Sequence, residues 1–367
     1  MQINVRDYVH SGTYDRTVDI QQAINDCAAG GGGSVYLPTG TYPVTQLTLP
    51  GKITFHGDNP YSTYLWSLTA DQDVLTVTGR GSRICNLGFK SSVPRTGRYL
   101  YLTPQSRSVY VDNFLMEGAY VGIQINCGAT CHVEHGEILN GSSLPDSCGI
   151  RITEGYDLHL ANLLMDNPHD QQPSAGIYIG DCGDLTLTNL NIIHCTNDLL
   201  INGGFSIHAT DCFFDTAACG ILIHALTPVE RCHFNGCWTS SHIGHGVLIA
   251  PNSPSSVDTI DFQGHHSFFN GNDSIYLGKG NNLKVQNSSC CANMVGSGVG
   301  VGEKAQHVLI QGSKLGSTGS MAGNAYGCYL LSGCDYVILN GNDLLGNNVM
   351  PLVGNPGHFI NSNNFGT

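Results

Sequence analysis

Charge is scarce in this chain: only 12% of its 367 residues are charged, and 15 Lys and Arg face 28 Asp and Glu. The formal net charge of −13 leaves no basic stripe to track phosphates, which argues against nucleic acid as a partner. Long apolar runs are missing too, so no segment reaches the length of a membrane-spanning helix. Met1 leads straight into polar and charged residues, so no signal peptide is expected. Cysteine is plentiful at 15 but odd in number, with no C-x-x-C pair and no His/Cys spacing of a zinc site. Cys127, Cys182, Cys195, Cys212, Cys232 and Cys290 fall at inward or bend positions of a repeating pattern, where Cys acts as a small hydrophobe. Reduced core cysteines are expected, with no metal and no cofactor.

What the chain does have is repetition. From about residue 80 onward, every 21 to 29 residues bring alternating apolar residues, a polar bend, a second apolar pair, then Gly and another short strand. The unit is legible in SVYVDNFLMEGAYVGIQI (108–125), DLTLTNLNIIHCTNDLLINGG (184–204) and FSIHATDCFFDTAACGILI (205–223). Such a period marks a solenoid whose units bury their apolar faces only by stacking. Strand-sized runs with no helix between them make each unit one coil of a parallel β-helix. The fold class expected is therefore all-β, a single-stranded right-handed parallel β-helix of about eleven coils. The 47 Gly and the abundant Asn, Ser and Thr suit its bends. No linker interrupts the repeats, so one domain is expected, with a cap over 1–50 and the solenoid over 51–367.

The N-terminal segment differs. After the strand-like INVRDYVHSG, Ile20, Ala23, Ile24, Cys27 and Ala28 fall on one face of an amphipathic helix. Asp15 or Thr17 is placed to cap its start and Gly30 to stop it. This reads as a helix covering the open end of the solenoid.

The run V-R-D-Y…G-T-Y-D-R-T-V-D-I-Q-Q-A-I-N-D…G-G-G-S-V-Y-L-P-T-G-T-Y, within the first 45 residues or so, resembles the N-terminal signature of the pectate-lyase-like superfamily of right-handed β-helices. That superfamily includes bacteriophage tailspike depolymerases and exo-acting polygalacturonases. The resemblance implies a polysaccharide as substrate and, as in tailspikes, a homotrimer. It matches a virion tail component, or a cytoplasmically made protein, that acts on an extracellular glycan. It carries no catalytic residues over, and the polygalacturonase pattern of Asn-x-Asp followed by Asp-Asp is absent here. Tailspikes carry a head before the cap and a trimerising tail, whereas this sequence opens at the cap and closes on HFINSNNFGT. A shorter relative or a piece of a longer spike is expected.

Candidate site residues follow from aligning the coils on their bends at Asn86, Asn113, His135, Asn162, Asn189 and Asp211. The first and third residues after each bend are apolar and should point inward; the second and fourth should point out. Outward fourth positions are Lys90, Glu117, Leu139, Asp166, Ile193, Asp215 and Asn235, and outward second positions include Leu115, Glu137, Leu164, Asn191, Phe213 and His233. Glu117, Glu137 and Asp166 then share one face on successive coils. With strands about 4.8 Å apart and alternate side chains about 6.6 Å apart, Glu117 and Asp166 are roughly 9.6 Å apart and each lies roughly 8 Å from Glu137. Inverting glycosidases hold their two carboxyl groups about 6.5–9.5 Å apart. The same face carries Leu115, Leu139, Leu164, Ile193 and Phe213, an apolar stripe expected to meet a partner subunit or the chain's own loops.

Three insertions, at 139–149, 166–176 and 236–246, are expected to leave one corner and wall a groove. They offer Asp146, His169, Asp170, Trp238, His242 and His245, with Arg151 and Tyr178 on the following strands. Asp166, His169 and Asp170 form the densest ionisable cluster. Arg80, Arg83, Lys90, Arg95, Arg98 and Arg107 crowd one coil and its neighbours, a cluster suited to an anionic sugar or to local acids.

Three classes of function remain open. A hydrolase would use a carboxylate pair among Glu117, Glu137, Asp166, Asp170 and Asp215. A lyase would need a base such as His169 or Tyr178 and a cation such as Arg151 or Arg98 to hold the enolate, and a sugar epimerase shares that first step. A non-catalytic glycan-binding spike needs only side chains such as Lys90, Arg98, Arg151, Tyr178, Trp238 and His245 along a groove.

Overall fold

The computed structural model describes residues 1–8, 14–170, 172–253, 256–317, 321–354 and 356–366. The chain divides into two compact units, Met1–Ile177 and Tyr178–Thr367, both built from the same coil.

In the first unit, the helix Thr17–Ala29 buries Ile20, Ala23, Ile24 and Cys27 completely. Ala28, expected on that face, is only half-buried. Arg16 is the residue before the first turn, and Asp15 assists by accepting the Thr17 N–H at 2.8 Å. Gly30 follows the helix at φ −75, and the left-handed step comes at Gly31 and Gly32. The expected first strand is short, Gln2–Asn4 and then a single 3-10 turn at Val5–Asp7. The remainder of that expected strand, residues 9–12, lies outside the described residues.

The first coil already lies inside the segment read as cap. Gly33–Leu37 pairs with Ile53–Gly57, Gly40–Val44 with Thr63–Ser67, and Leu47–Leu49 with Leu75–Val77, all parallel. The solenoid therefore has about 13 turns rather than eleven. Arg83–Ser91, Arg107–Glu117, Ala129–Leu139 and Tyr156–Asp166 then stack in parallel register. Each of these long strands contains a bend. Asn86, Asn113, His135 and Asn162 sit there at φ between 50 and 58, a conformation that Asn tolerates better than most residues. Beyond each bend, Leu87 and Phe89, Phe114 and Met116, and Leu163 and Met165 are buried as expected. Outside, Asn113 Nδ2 donates to Asn86 Oδ1 at 2.7 Å, so a bend also bonds its neighbour.

The second unit repeats the plan, in several coils with a short separate strand on each side of the bend. Gly204–Thr210 pairs with Val229–Asn235, and Phe213–Asp215 with Trp238–Ser240, again in parallel. The bends are Asn189, Asp211, Gly236, Gly264, Asn287, Gly312 and Gly341, all at positive φ. Phe234 and Phe262 stack inside at 4.8 Å. The inward residue after the bend becomes polar in the later coils. Ser288 Oγ accepts the His265 N–H at 3.1 Å, Ser313 Oγ that of Ser288 at 3.2 Å, and Asn342 Oδ1 that of Ser313 at 3.0 Å. The bend residues keep their own backbone bonds, as Gly264 N–H does to the Gln286 carbonyl, whereas the N–H of the residue after each bend is taken up by these side chains. A second inward ladder runs through Asn270, Asn293, Asn324 and Asn347. All fifteen cysteines are buried and outside any disulfide, and among the described residues no helix is long and apolar enough to cross a membrane.

The bends generate a stability prediction. Asn113→Val puts a β-branched residue at φ 50 and removes the bond to Asn86; it should cost about 1–2 kcal/mol in urea unfolding. Asn113→Gly, free at that φ, should cost less than about 1 kcal/mol. Equal losses would mean that backbone conformation is not what the asparagine supplies.

Candidate functional site

In the first unit the register sets Glu117 beside Leu139 and Leu139 beside Asp166, while Glu137 lies between Leu115 and Leu164 in the adjacent outward row. The two end carboxylates are two strands apart, roughly 9.6 Å, with an apolar side chain between. Glu117 pairs with Lys90 Nζ at 3.0 Å, and that ammonium also lies 4.3 Å from the Tyr64 ring centre. Burial works most strongly against the Lys90 charge, but the bond to Glu117, the Glu117 charge and Tyr64 together outweigh it and raise its pKa. Glu137 accepts the Tyr61 hydroxyl at 2.6 Å, which pushes that phenol up to about 12. Asp166 is exposed at the end of its strand.

The outward leucines do not form an exposed stripe. Leu115 is 2% exposed, because Gly88 beside it in register has no side chain and Tyr64 occupies that space. The segment carrying Tyr61 and Tyr64 lies against this end of the face. Leu139, Leu164 and Ile193 are half-buried, and only Phe213 stands out, at 45% exposure.

The cations disperse rather than converge. Arg95 is 1% exposed and donates to the Thr69 and Arg98 carbonyls at 2.7 and 3.0 Å, among other oxygens, so its role is structural. Arg83 pairs with Asp112 at 2.8 Å. Arg98 is held by both oxygens of Asp73, at 2.6 and 2.7 Å, and lies over the Tyr101 ring. Arg151 donates to the Asp146 carbonyl. Arg98 and Arg151 do share a groove of about 240 Å³ with Asp71, Asp73, Tyr120 and Gln124, with the Asp73 carboxylate on Arg98.

The second unit holds a different groove, of about 420 Å³, lined by Asn191, Ile193, Phe213, Asp215, Trp238 and Ser240. Trp238 is not on a loop. Residues 238–240 are a strand, with Trp238 beside Phe213 and Ser240 beside Asp215. The expected outward residues His233 and Asn235 belong to the strand before the bend; after Gly236, the second and fourth positions are Trp238 and Ser240. The phase slipped because Gly236 replaces Asn at this bend, while Arg231, at another corner, also takes positive φ. Trp238 Nε1 donates to Ser240 Oγ at 2.8 Å and Ser240 Oγ to Asp215 Oδ1 at 2.8 Å. Phe213 and Trp238 are 6.1 Å apart between ring centres, and Trp238 meets Phe268 edge-on at 5.0 Å.

His169 and Asp170 are exposed in a turn, and Tyr178 is half-buried on a strand of the second unit. His245 lies with its Nδ1 3.3 Å from Asp273 and its ring 5.6 Å from Tyr276; the contact is an ion-pair approach without hydrogen-bond geometry at Nδ1. Burial raises the Asp273 pKa, but His245 and Ser297 lower it further and leave it depressed. Among the described residues, no group of three His, Cys, Asp or Glu is placed to hold a metal ion. Sequence reasoning missed Asp198, fully buried and 3.2 Å from His242. Its alternation marks it as an ordinary outward residue, and its partner lies 44 positions away.

Residues 98–262 match the family model of the right handed beta helix region. No curated protein sequence matches the chain. Among solved structures it is similar to the Dettilon tailspike protein, at 13% identity and TM-score 0.63 over 98% of this chain and 68% of that one. It is similar to the A-module of a mannuronan C-5 epimerase from Azotobacter vinelandii, at 16% identity and TM-score 0.61 over 97% and 99%. An exopolygalacturonase from Thermotoga maritima matches at 11% identity and TM-score 0.60 over 93% and 92%. Likeness at such identity establishes the fold, a right-handed parallel β-helix.

Two buried histidines near the second groove make an acid prediction. Burial depresses His242 to about 4, against its bond to Asn270 and the charge of Asp215. Burial depresses His265 to about 3, with His266 and His242 adding to the shift. Both stay neutral in the folded chain while the unfolded chain binds protons below about 6.5. Their stability contribution is therefore present above that pH and lost as pH falls towards 4 and 3, at up to about 1.4 kcal/mol per pH unit for each. Asp198, whose pKa burial raises, works in the opposite sense over this range, so the variant carries the test: His265→Gln should make the urea midpoint fall less, or rise more, between pH 7 and pH 5 than it does in the unsubstituted chain.

Proposed function

We propose that this chain hydrolyses glycosidic bonds of a polysaccharide, with a bacterial surface, capsular or exopolysaccharide as the substrate class. The observation that carries this reading is the groove that Asp215 shares with Phe213 and Trp238. Sugar rings stack their C–H faces on aromatic rings while their hydroxyls bond carboxylates and amides, and this groove offers both kinds of contact. The tailspike, exopolygalacturonase and mannuronan epimerase neighbours support a glycan as substrate.

Hydrolysis needs a carboxylic acid to protonate the leaving oxygen and a carboxylate to activate water. Glu117 and Asp166, separated by Leu139, stand at about the upper limit of the spacing of an inverting pair; Asp215 is the carboxylate in the groove with aromatic walls. Glu137, which accepts the Tyr61 hydroxyl, is a further carboxylate candidate on the same face. A lyase or epimerase is the second reading. It is less favoured because Arg98, a cation it would use, is already chelated by Asp73, and Arg151 is engaged by the Asp146 carbonyl. The assembly proposed with the enzyme is a homotrimer, for which exposed Phe213, Ile338, Met350 and Ile360 offer apolar surface.

Incubation with capsular and uronate polysaccharides should release reducing ends without the ultraviolet absorbance of an unsaturated sugar. At least one of Glu117→Gln, Asp166→Asn and Asp215→Asn should lose about a hundredfold in turnover, and Trp238→Ala should weaken glycan binding. Full activity in all three amide variants ends the carboxylate assignment, unsaturated products favour the lyase, and binding without turnover favours an adhesin. Light scattering should give three chain masses; one chain mass ends the trimer.

A further inference from the structure

Behind the second groove lies a buried pair with no access to solvent. The side chains of Asp198 and His242 are both fully buried, with Asp198 Oδ2 3.2 Å from His242 Nε2. Where the proton between them sits can be read from the other ring nitrogen. His242 Nδ1 lies 2.8 Å from Asn270 Oδ1, which also accepts the His242 backbone N–H at 3.3 Å. The Asn270 amide is turned this way by its ladder, because its Nδ2 donates to Ser267 Oγ at 3.1 Å and to Asn293 Oδ1 at 3.3 Å. An amide oxygen only accepts, so Nδ1 carries a hydrogen and a neutral imidazole presents a bare lone pair at Nε2.

An ionised Asp198 would aim its oxygen at that lone pair. The alternatives are an imidazolium facing a carboxylate or a carboxylic acid facing a neutral ring. The ionised pair is costly here: Asp198 Oδ1 is buried without a partner, and a carboxylate oxygen left so pays far more desolvation than a neutral carbonyl. Burial opposes a charge on either member, while the Asp215 charge favours a proton on both, so burial decides for the neutral pair. Burial first and the Asp215 charge second raise the Asp198 pKa well above normal, more than the Cys195 backbone bond lowers it.

The pair also has a mechanical consequence. Asp198, on the strand Asn197–Ile201, lies opposite Gly220 of Cys219–Ile223. A Cβ on Gly220 would come within 2.7 and 2.9 Å of the His242 ring, so only glycine lets the ring reach across. His242 follows Ser240, the residue that bonds Asp215, through Ser241 at φ 60.

We infer that Asp198 is a neutral carboxylic acid donating from Oδ2 to Nε2 of His242, and that this bridge positions the 240–242 segment so that Ser240 and Trp238 hold Asp215 in its groove. Asp198 is a positioning residue; it has no surface to touch a substrate. The bridge serves the groove whose glycan-cleaving role is proposed above, yet its test needs no glycan, so the two readings fail separately.

Nitrogen NMR on the full chain, with His242 assigned by loss of its signals in His242→Gln, should show a protonated Nδ1 and a bare Nε2 from pH 8 to pH 5. Carbon NMR should show an Asp198 carboxyl, assigned by its loss in Asp198→Asn, that stays protonated over the same range. Trp238 emission, read in a Trp66→Phe background, should be unchanged by Asp198→Asn, whose amide still donates to Nε2. Asp198→Leu, which cannot donate, should expose Trp238 to acrylamide at least twofold. A hydrogen on Nε2, an ionised Asp198 at pH 7, or equal exposure in the Asn and Leu variants overturns the inference. The NMR result on the unsubstituted chain stands even if the leucine variant does not fold.

Discussion

Everything in this molecule depends on a left-handed bend repeated in register. A parallel β-helix turns its corners with residues near φ 50 to 60, and neighbouring bends meet, as Asn113 does Asn86 and Asn162 does His135. The conformation is unfavourable for most side chains, so Asn, Asp and Gly predominate at the aligned bends, with His135 among them. Stacking then makes the choice cooperative, because a bend that leaves φ 50 breaks its own geometry and its bonds to the neighbouring bend. Outside, side chains such as Asn113 and Asn86 tie one bend to the next, and inside, ladders such as Ser288 to Ser313 satisfy backbone N–H groups beside the corners.

The bends also decide where chemistry can stand. Once they are in register, a side chain at a fixed offset from the bend meets the same offset one strand away. That is how Glu117, Leu139 and Asp166 come to share a row, and how Phe213 and Trp238 come to share another. A row, however, supplies only spacing. What a row becomes is set by what lies over it. Tyr61 takes up Glu137 and Lys90 takes up Glu117, whereas Asp215 keeps an open groove with aromatic walls.

The second unit pays for its groove with buried polarity. Asp198, His242, Asn270 and His265 would be a liability in an apolar core if any were charged, and their bonds suit neutral groups. The asparagine ladder is what makes this tolerable: it fixes the amide orientation, the amide fixes the tautomer, and the tautomer fixes where the proton on Asp198 must point.

The sequence by itself determined the coil, the inward positions after the bends, and the helix whose Ile20, Ala23, Ile24 and Cys27 are buried. These follow from local rules, alternation along a strand and the residue types that accept positive φ, and local rules are written in neighbouring letters. It also placed Glu117, Glu137 and Asp166 on one face, because those coils share an Asn or His at the bend. It lost phase after Asp211, where Gly236 marks the bend and Arg231 turns a different corner with the same φ; a backbone conformation that several residue types reach does not announce which corner it serves. Trp238 was therefore read as a loop residue, and its place beside Phe213 went unseen. The burial of Leu115 near Tyr61 and Tyr64, and the meeting of Asp198 with His242 across Gly220, were decided only by tertiary structure. Both join segments with no common period, and the space that allows each is the missing side chain of a glycine in a third segment.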